Sequence, residues 1–534
     1  MNGAQALLKA LTDAGLDTCF TNPGTSEMQF LYEVAQTTGV RAVLCLQENT
    51  ASGAADGYAR MAGRPAFTLL HVGTGFANSI ANLHNAGRAH VPMVNIVGAN
   101  ATYHQCNDPE HELVNGRITD LARVVSHWTQ EARTASELGS LAAQAAHHSR
   151  LGAGKICTLV APTDCHWDQA VAPPDCAAQP AAPRASAATI GEIAGLLANG
   201  KKTAILAGAS ALHGDCIELA AKIAAKTGAD LLGDSWAPRL DRGEGSVQVR
   251  LIPYVAEMAL QFMAPYQQLV LVGAQRPVVT FAYQGLPVSK VPAGCTVTTL
   301  ATVDHDMRMA LEDLAQAVGA KGASTARQAR TQCPVPTGTL TPAAVGQSLC
   351  VLLPENAILV DEAITMGLAT FELTKGARRH DYLFPGCGGA IGAGLPHALG
   401  AAIACPDRKV VALQADGSAM YTNQALWSIA RENADVTVVL LRNDSYAVLH
   451  FEMARVRAGE ETSALRSLLD LDRPTIDWVR MAESQGVPAS RATTAEEFHQ
   501  QLQAALATRG PRLIEAQVTQ DLQPFLQLVR GGRP

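Results

Sequence analysis

The amino-acid sequence predicts an α/β protein with three doubly wound parallel-sheet domains. Apolar, β-branched runs alternate with helical segments, a pattern typical of parallel strands that are buried on both faces. The length of 534 residues suggests about three domains. Two stretches, 172–183 and 319–342, are rich in Ala, Pro or Gly and lack apolar periodicity. We therefore predict domains over residues 1–175, 185–325 and 340–534.

Composition and charge exclude several classes of protein. The net charge of −7 gives no basic surface, so we expect no nucleic-acid partner. No apolar run approaches the ~20 residues needed to span a bilayer, and the first residues lack the features of a signal peptide. The 12 cysteines are scattered singly, which favours reduced thiols over disulfides or zinc. These features predict a cytoplasmic protein without a membrane partner.

A helix over residues 3–14 and a strand over residues 18–20 open the first predicted domain. The strand leads into a loop that combines a turn, two hydroxyl groups and an acid at a helix start: Asn22, Pro23, Gly24, Thr25, Ser26 and Glu27. A plain turn followed by a helix N-cap would explain the same composition.

Two further strands of this domain end in residues that could carry chemistry. Glu48 follows an apolar run and opens a helix with many small residues, which would allow close packing. It could equally complement the dipole of that helix. His71 precedes the turn Gly73-Thr74-Gly75, whose backbone N–H groups could meet a ligand. A histidine in this place is more often purely structural.

The middle predicted domain is another α/β unit. Its apolar runs over residues 202–206 and 268–272 each lead into a glycine loop. No GxGxxG motif follows either run, so the sequence does not support a dinucleotide site. It leaves open whether FAD or another nucleotide binds there.

The third predicted domain contains two strands whose carboxyl ends carry oxygen ligands. The runs 409–414 and 436–441 are separated by a helical segment and predict a βαβ unit. Asp416 and Asn443 follow these runs and would project into one crevice, where open α/β sheets bind ligands. A carboxylate and an amide oxygen suit Mg²⁺, which takes phosphate oxygens as further ligands. Both residues are also common in turns at strand ends.

Two other segments of this domain are candidates for ligand contact. A predicted strand over residues 357–360 leads to Asp361 and Thr365. Five glycines between residues 386 and 394 permit tight turns and close approach of a ligand.

Together these motifs resemble those of the thiamine diphosphate (ThDP)-dependent decarboxylase and acetohydroxyacid synthase superfamily over nearly the whole chain. The superfamily's Gly-Asp-Gly…Asn motif matches Asp416, Gly417 and Asn443. Ala415 and Arg442 replace a glycine and an asparagine of that motif, and neither replacement removes a metal ligand.

Three other places agree with the same superfamily. Its strand-end glutamate matches Glu48, and residues 389–392 look like its aminopyrimidine-binding loop. Residues 22–27 look most like the corresponding loop of benzoylformate decarboxylase. The resemblance implies a pyrimidine-binding, a central and a diphosphate-binding domain. It also implies a homodimer or homotetramer with active sites at the subunit interface, where Glu48 and Asp416 of different subunits meet.

The resemblance further implies which residues bind ThDP and Mg²⁺. The metal ligands would be Asp416, Asn443 and the Ser445 carbonyl. Glu48 would hydrogen-bond the aminopyrimidine N1′ and promote loss of the C2 proton. The implied cofactor-binding residues are Asn22, Pro23, Gly24, Gly73, Thr74, Asn78, Thr365, Gly389, Ile391, Asp416, Gly417, Ser418, Asn443 and Tyr446.

The activity that this resemblance implies is decarboxylation of a 2-oxo acid through an enamine, with release of an aldehyde. The alternative is an acetolactate synthase-like carboligase, which adds the enamine to a second carbonyl compound. A catalytically silent binding or regulatory subunit is disfavoured, because Glu48, Asp416 and Asn443 are retained. The resemblance does not reveal which 2-oxo acid is used.

A decarboxylase must protonate the carbon that loses CO₂, and histidine is suited to that task. By resemblance, His71 matches a histidine of benzoylformate decarboxylase, and His111 falls where pyruvate decarboxylase has paired histidines, with Glu110 in place of the first. Ala282 stands in place of a second active-site histidine of benzoylformate decarboxylase. Candidates for the substrate pocket, which could equally be core residues, are Thr25, Phe281, Val448 and Leu449.

Overall fold

The computed structural model describes residues 1–456 and 459–519, whose strands form three sheets. The first sheet is parallel throughout and has the order β2-β1-β3-β4-β6-β5. Its strands are β1 (Thr18–Asn22), β2 (Arg41–Leu44), β3 (Ala66–Leu70), β4 (Met93–Ala99), β5 (Trp128–Glu131) and β6 (Ile156–Pro162). The helices around it are α1 (Gly3–Asp13), α2 (Met28–Gln36), α3 (Glu48–Ala62), α4 (Val72–Arg88), α5 (Ile118–Arg123), α6 (Ala135–Ser149) and α7 (Thr163–Trp167).

The second sheet is also parallel and has the order β10-β8-β7-β11-β12. Its strands are β7 (Thr203–Ala207), β8 (Asp230–Gly233), β10 (Arg250–Leu251), β11 (Gln268–Val272) and β12 (Thr296–Ala301). The helices in this part of the chain are α8 (Ala187–Ala198), α9 (Gly214–Thr227), α10 (Ala256–Met263) and α11 (Met307–Ala317).

The third sheet has the order β17-β18-β16-β15-β13-β14-β9. Its strands are β9 (Arg239–Arg242), β13 (Ala357–Glu362), β14 (His380–Leu383), β15 (Val410–Ala415), β16 (Val436–Arg442), β17 (Ala489–Ala492) and β18 (Arg512–Gln517). The helices that follow β12 and α11 in the chain are α12 (Pro342–Leu352), α13 (Gly367–Thr374), α14 (Gly394–Ala404), α15 (Asp416–Ala419), α16 (Ala425–Arg431), α17 (Ala447–Val456), α18 (Ser463–Leu469), α19 (Trp478–Ser484) and α20 (Ala495–Ala507).

The predicted fold class, three parallel-sheet α/β units, is confirmed, with one addition that the sequence did not predict. Strand β9 lies in the middle of the chain but pairs antiparallel with β14 of the third sheet. Pairing satisfies the backbone groups that an open edge strand would leave exposed. Arg239 of β9 also donates to Asp381 of β14 at 2.8 Å.

Close packing of α3 against α14 joins the first and third sheets. The sequence predicted that α3 packs closely, because it is rich in small residues. A Cβ at Gly57 would lie 2.3 Å from the His397 carbonyl oxygen, and one at Gly400 would lie 1.9 Å from the Ala54 carbonyl oxygen. Only glycine therefore allows the two backbones to approach so closely.

A buried ion-pair network supports this junction. Asp56 lies 2.7 Å from Arg60 Nε and 2.9 Å from His397 Nε2. Arg60 also donates to the carbonyl oxygens of Pro238 and Phe384. Burial raises the pKa of the Asp56 carboxyl, but Arg60 and His397 outweigh it and the net pKa is lowered. All three parts of the chain are thus tied together beside the glycine-rich segment that begins at Gly386.

Two expectations from composition can be compared with the structure. All 12 cysteines have free thiols, as their scattered positions predicted. Within residues 1–456 and 459–519, none of the helices combines the length and the apolar character that crossing a membrane requires.

Candidate functional site

The carboxyl ends of β1 and β3 bring Glu27 and His71 together. These strands are neighbours, and Asn22 at the end of β1 pairs with Leu70 at the end of β3. Glu27 is fully buried, and its Oε2 lies 2.9 Å from His71 Nδ1. Its carboxylate also accepts from the Gly24 backbone N–H at 2.9 Å and the Ser26 hydroxyl at 2.7 Å. The loop 22–27 therefore holds a carboxylate directly against the histidine.

Within the described residues, the hydrogen bonds of the His71 ring go to the side chains of Glu27 and Ser26. Its Nδ1 faces Glu27 and lies 3.3 Å from the Ser26 hydroxyl. A Cβ at Gly24 would lie 2.0 Å from His71 Nδ1, so glycine is required for this contact. The His111 ring packs edge-on against the His71 ring, with the ring centroids 5.5 Å apart. The two predicted histidines are thus brought together, with His111 exposed.

Glu48 lies beside the same group of residues. It is the first residue of α3, is 7% exposed, and accepts from Asn78 Nδ2 at 3.1 Å. A Cβ at Gly75 would lie 2.9 Å from Glu48 Oε1 and 3.2 Å from His71 Cβ. The first turn of α4 therefore packs against both Glu48 and His71. Thr74 of that turn is exposed, whereas Gly73 is buried against Leu113.

Asp416 and Asn443 come together at the carboxyl ends of the adjacent strands β15 and β16, as predicted. Asp416 is 2% exposed. Its carboxylate accepts the backbone N–H groups of Gly417 at 2.8 Å, Asn443 at 3.0 Å and Asp444 at 2.8 Å. Burial raises the pKa of Asp416 to about 6, although these three N–H groups oppose the rise. A cation at this carboxylate would relieve the cost of its burial.

Other predicted residues surround Asp416. The Tyr446 ring lies against Gly417, where a Cβ would be 2.6 Å from Tyr446 Cε1. The Ser418 hydroxyl accepts from Gln414 Nε2 at 2.5 Å and lies 3.3 Å from the Glu362 carbonyl oxygen, so it has partners within the protein. The Ser445 backbone N–H donates to the Asn443 side chain at 3.4 Å.

A buried carboxylate anchors the glycine-rich segment that contains Gly389 and Ile391. Glu362 accepts the backbone N–H groups at the start of α14, those of Gly392, Ala393 and Gly394, at 2.9–3.0 Å. Burial raises the pKa of the Glu362 carboxyl, and the N–H groups of Ala393 and Gly394 oppose the rise. Gly389 is exposed with a φ of +84°, and a Cβ there would meet no atom within 4 Å. Ile391 is half-buried, as is Thr365, which lies after β13 in a short 3₁₀ turn.

Helix α4 connects the residues around Glu48 with the glycine-rich segment. Its Asn85 side chain donates to the Ala390 carbonyl at 2.8 Å and accepts from the Gly388 N–H at 3.0 Å. Asn82 lies 3.4 Å from the Gly392 carbonyl oxygen. One helix therefore carries the Thr74 turn at its start and holds the glycine-rich segment further along.

The candidate pocket residues are not core residues. Phe281 is 58% exposed and Leu449 is 44% exposed. Thr25 is exposed and Val448 is half-buried. Exposed large apolar side chains are suited to contact with a ligand or a partner.

Sequence reasoning did not assign site roles to Glu27, Glu362, Asn82 or Asn85. Glu27 was interpreted as part of a turn and N-cap, and it does accept the Gly24 N–H as a cap would. Its pairing with His71 depends on β1 lying next to β3, which local sequence does not reveal. A sequence signal for Glu362 did exist, because this acid lies at the carboxyl end of the apolar strand β13, much as Asp416 follows β15.

The oxygen groups at Asp416 fit Mg²⁺ bound together with a diphosphate. Among the described residues, no cluster of three His, Cys, Asp or Glu side chains could hold a metal by itself. One desolvated carboxylate with an adjacent amide and backbone carbonyls is the partial set that Mg²⁺ accepts when phosphate oxygens complete it.

Comparisons with known proteins agree with this geometry. The family model described as the thiamine pyrophosphate (that is, ThDP) enzyme N-terminal TPP binding domain matches residues 1–122. The C-terminal TPP binding domain matches residues 364–516. The Mycobacterium tuberculosis protein named "Putative acetolactate synthase large subunit IlvX" is 45% identical over 521 residues, covering 97% of this chain and 99% of that protein.

Two further relatives carry the names of decarboxylases. Benzoylformate decarboxylase of Pseudomonas aeruginosa is 28% identical over 540 residues, covering 96% of this chain and 97% of the relative. The solved structure of a thiamine diphosphate-dependent 4-hydroxybenzoylformate decarboxylase from Rhodococcus jostii matches with a TM-score of 0.85 and 26% identity. It covers 98% of this chain and 100% of that one. The matched segments and the near full-length similarity show that the chain belongs to the thiamine pyrophosphate enzyme family.

Proposed function

We propose that the protein is a ThDP- and Mg²⁺-dependent decarboxylase that converts a 2-oxo acid into an aldehyde and CO₂. The observation that carries this proposal is the pairing of His71 with the buried Glu27 carboxylate, beside Glu48. A decarboxylase has to deliver a proton to carbon, whereas a carboligase has to keep protons away from it. A histidine oriented by a carboxylate is a suitable proton donor near neutral pH.

Asp416, Asn443 and the Ser445 carbonyl would hold Mg²⁺ against the diphosphate of the cofactor. The backbone N–H groups that fix the Asp416 carboxylate keep it at one place before the metal arrives. Thr365 would bond the diphosphate, and Gly389 and Ile391 would contact the aminopyrimidine. When bound, ThDP accepts the electron pair that is released as CO₂ leaves.

Glu48 and His71 would handle protons at different atoms. Glu48, which Asn78 orients, would hydrogen-bond the pyrimidine N1′. His71 presents Nδ1 to Glu27, so its Nε2 is the ring nitrogen that can face the substrate. His111, whose ring contacts that of His71, would connect the pair with solvent.

Carboligation is the second candidate activity, and two observations favour it. The relative with 45% identity carries an acetolactate synthase name. By resemblance, Ala282 stands in the place of a second active-site histidine of benzoylformate decarboxylase, and alanine offers no titratable group there. An acceptor aldehyde or 2-oxo acid would then compete with the proton from His71.

The active site would lie between two copies of the chain. Exposed apolar side chains flank both groups of site residues: Leu46 precedes Glu48, Ile364 precedes Thr365, and Met420 and Tyr421 follow Ser418. A partner subunit that covers these side chains would complete each site. After equal amounts of the inactive Glu48→Gln and Asp416→Ala proteins are mixed, random exchange should make half of the dimers hybrids, and one of the two sites in each hybrid is intact. The mixture should therefore recover about a quarter of the wild-type activity. No recovery after subunit exchange would contradict this arrangement.

Activity is tested by incubating the protein with ThDP, Mg²⁺ and a panel of 2-oxo acids, and by identifying CO₂ and the organic product. We expect an aldehyde from at least one acid, with activity lost on chelation of Mg²⁺. Acetolactate-type products from every acid that reacts would replace the decarboxylase proposal with the carboligase.

A further inference from the structure

The two matched family segments do not include the second sheet, yet a cluster around the buried Arg455 connects that part of the chain to the candidate site. Helix α17 starts directly after Tyr446 and carries Val448 and Leu449. Near its end, Arg455 reaches across to Glu257 in α10 of the middle part of the chain. This contact spans 198 positions of sequence.

Within the part of the chain that the structure describes, Arg455 contacts Glu257, Glu452 and Tyr283. Its side chain is 1% exposed and lies 2.6 Å from Glu257 Oε2, with a second contact of 3.4 Å to Oε1. It also donates to Glu452 Oε1 at 3.0 Å. Its guanidinium carbon lies 3.5 Å from the centroid of the Tyr283 ring. A planar guanidinium can satisfy two carboxylates and stack on an aromatic face at once, which lysine cannot do.

Tyr283 brings a second segment into this cluster. Its hydroxyl donates to Glu452 Oε2 at 3.2 Å. Tyr283 lies at the tip of a hairpin-like loop, residues 277–290, in which Val279 bonds to Val288 and Lys290 bonds to Pro277. Phe281 is two residues away in the same loop. Burial and the nearby Glu452 raise the pKa of Tyr283, so this hydroxyl remains a donor. The cluster therefore fixes the loop that carries Phe281 to the helix that carries Leu449.

The geometry of α17 places a pocket residue on the same face as the cluster. Val448, Glu452 and Arg455 are separated by four and three positions and therefore share one face of the helix. Of these three residues, Val448 is nearest to the helix start, where the Asn443 loop lies, and Arg455 is about two turns further from it. Rotation or withdrawal of this helix would move Val448 relative to both Phe281 and the cofactor loop.

We propose that Arg455 is a positioning residue that determines specificity. Arg455 holds α17 against α10 and against the 277–290 loop. It thereby sets the distance from Val448 and Leu449, on the helix, to Phe281, on the loop. That distance fixes the size of the 2-oxo acid side chain that the site accepts. This inference rests on the proposed function, since it assigns a role in selecting that substrate.

The test compares Arg455→Met, Arg455→Lys and Glu257→Gln with the wild type on a series of 2-oxo acids of increasing side-chain size. The ratio of kcat/KM between the largest and smallest acid should change about tenfold or more in Arg455→Met, while the affinity for ThDP stays within about twofold. Arg455→Lys should give an intermediate ratio, because it retains charge but not stacking. Arg308→Met is the matched control, since it breaks an exposed ion pair with Glu312 on α11.

Amide hydrogen exchange gives a readout that does not depend on activity. In Arg455→Met and Glu257→Gln, exchange should accelerate both in the 277–290 loop and in α17, and remain at the wild-type rate in the Arg308 control. Uniform loss of kcat/KM for all acids, or unchanged exchange in the 277–290 loop, would overturn the proposal. If the wild type turns over no 2-oxo acid, the proposed function fails. The amide exchange rates of the variants then decide by themselves whether Arg455 holds α17 against the 277–290 loop.

Discussion

Replacement of His71 by alanine separates proton delivery from substrate binding. His71 is held by the buried Glu27 carboxylate at 2.9 Å, so its imidazole has one defined orientation. General acid catalysis contributes about 10²–10⁴-fold, which corresponds to about 3–5 kcal/mol of barrier. We expect aldehyde release to slow by that factor, the Michaelis constant to change much less, and the share of carboligated product to rise.

The structural cost of this substitution can be measured separately. In His71→Ala, Glu27 would keep the Gly24 N–H and the Ser26 hydroxyl as donors but lose its contact with the imidazole. A hydrogen bond to a charged group contributes about 1.5–3 kcal/mol, so chemical denaturation should show a loss of that order.

Steady-state kinetics with separate quantification of aldehyde and carboligated product is the assay. Glu27→Gln should slow aldehyde release less than His71→Ala, because it loosens the imidazole without removing it. His104→Ala is the matched control, as this histidine is exposed on the loop before His111. Aldehyde release at the wild-type rate in His71→Ala would refute the role of this histidine.

Three further predictions follow from the described contacts. Asp416→Ala should abolish retention of ThDP with Mg²⁺ in calorimetric titrations, and undiminished affinity would contradict the metal assignment. Glu48→Gln should leave cofactor binding largely intact but slow deuterium exchange at C2 of bound ThDP by about 10²–10⁴-fold, as followed by NMR. Burial lowers the pKa of His380 to about 4 from its usual 6.5, so the folded state favours the neutral ring. The unfolded state therefore binds a proton more readily between these two values. The contribution of His380 to the free energy of unfolding is highest above pH 6.5 and decreases as the pH falls towards 4. Denaturation at pH 7 and pH 5 should therefore differ by about 2 kcal/mol less in His380→Asn than in the wild type, and an unchanged difference would contradict this assignment.

Local pattern was sufficient for the parts of the site that depend on strand ends. Asp416 and Asn443 follow two apolar runs joined by a helix, and such runs form adjacent parallel strands. Their meeting in the structure, with the Asn443 N–H bonded to Asp416, follows from that topology. The small residues of α3 likewise indicated the close contact that Gly57 makes with α14.

Contacts between distant segments could not be predicted in the same way. The Glu27–His71 pair requires that β1 lie between β2 and β3, and the two residues are 44 positions apart. The antiparallel strand β9 crosses from the middle of the chain to the third sheet, so the predicted domain boundaries do not describe every contact. The Arg455–Glu257 pair joins helices of different sheets, and neither helix carries a sequence signal for the other.

The most direct test of the proposed decarboxylase is the ratio of 2-oxo acid consumed to CO₂ released by the wild-type protein with ThDP and Mg²⁺. Release of an aldehyde consumes one molecule of acid for each CO₂, and in D₂O it places one deuterium on the aldehyde carbon. Joining two molecules of the same acid consumes two for each CO₂ and gives no aldehyde. We predict equal amounts of acid consumed and CO₂ released, with deuterated aldehyde as the main product; two acids per CO₂ would contradict the assignment.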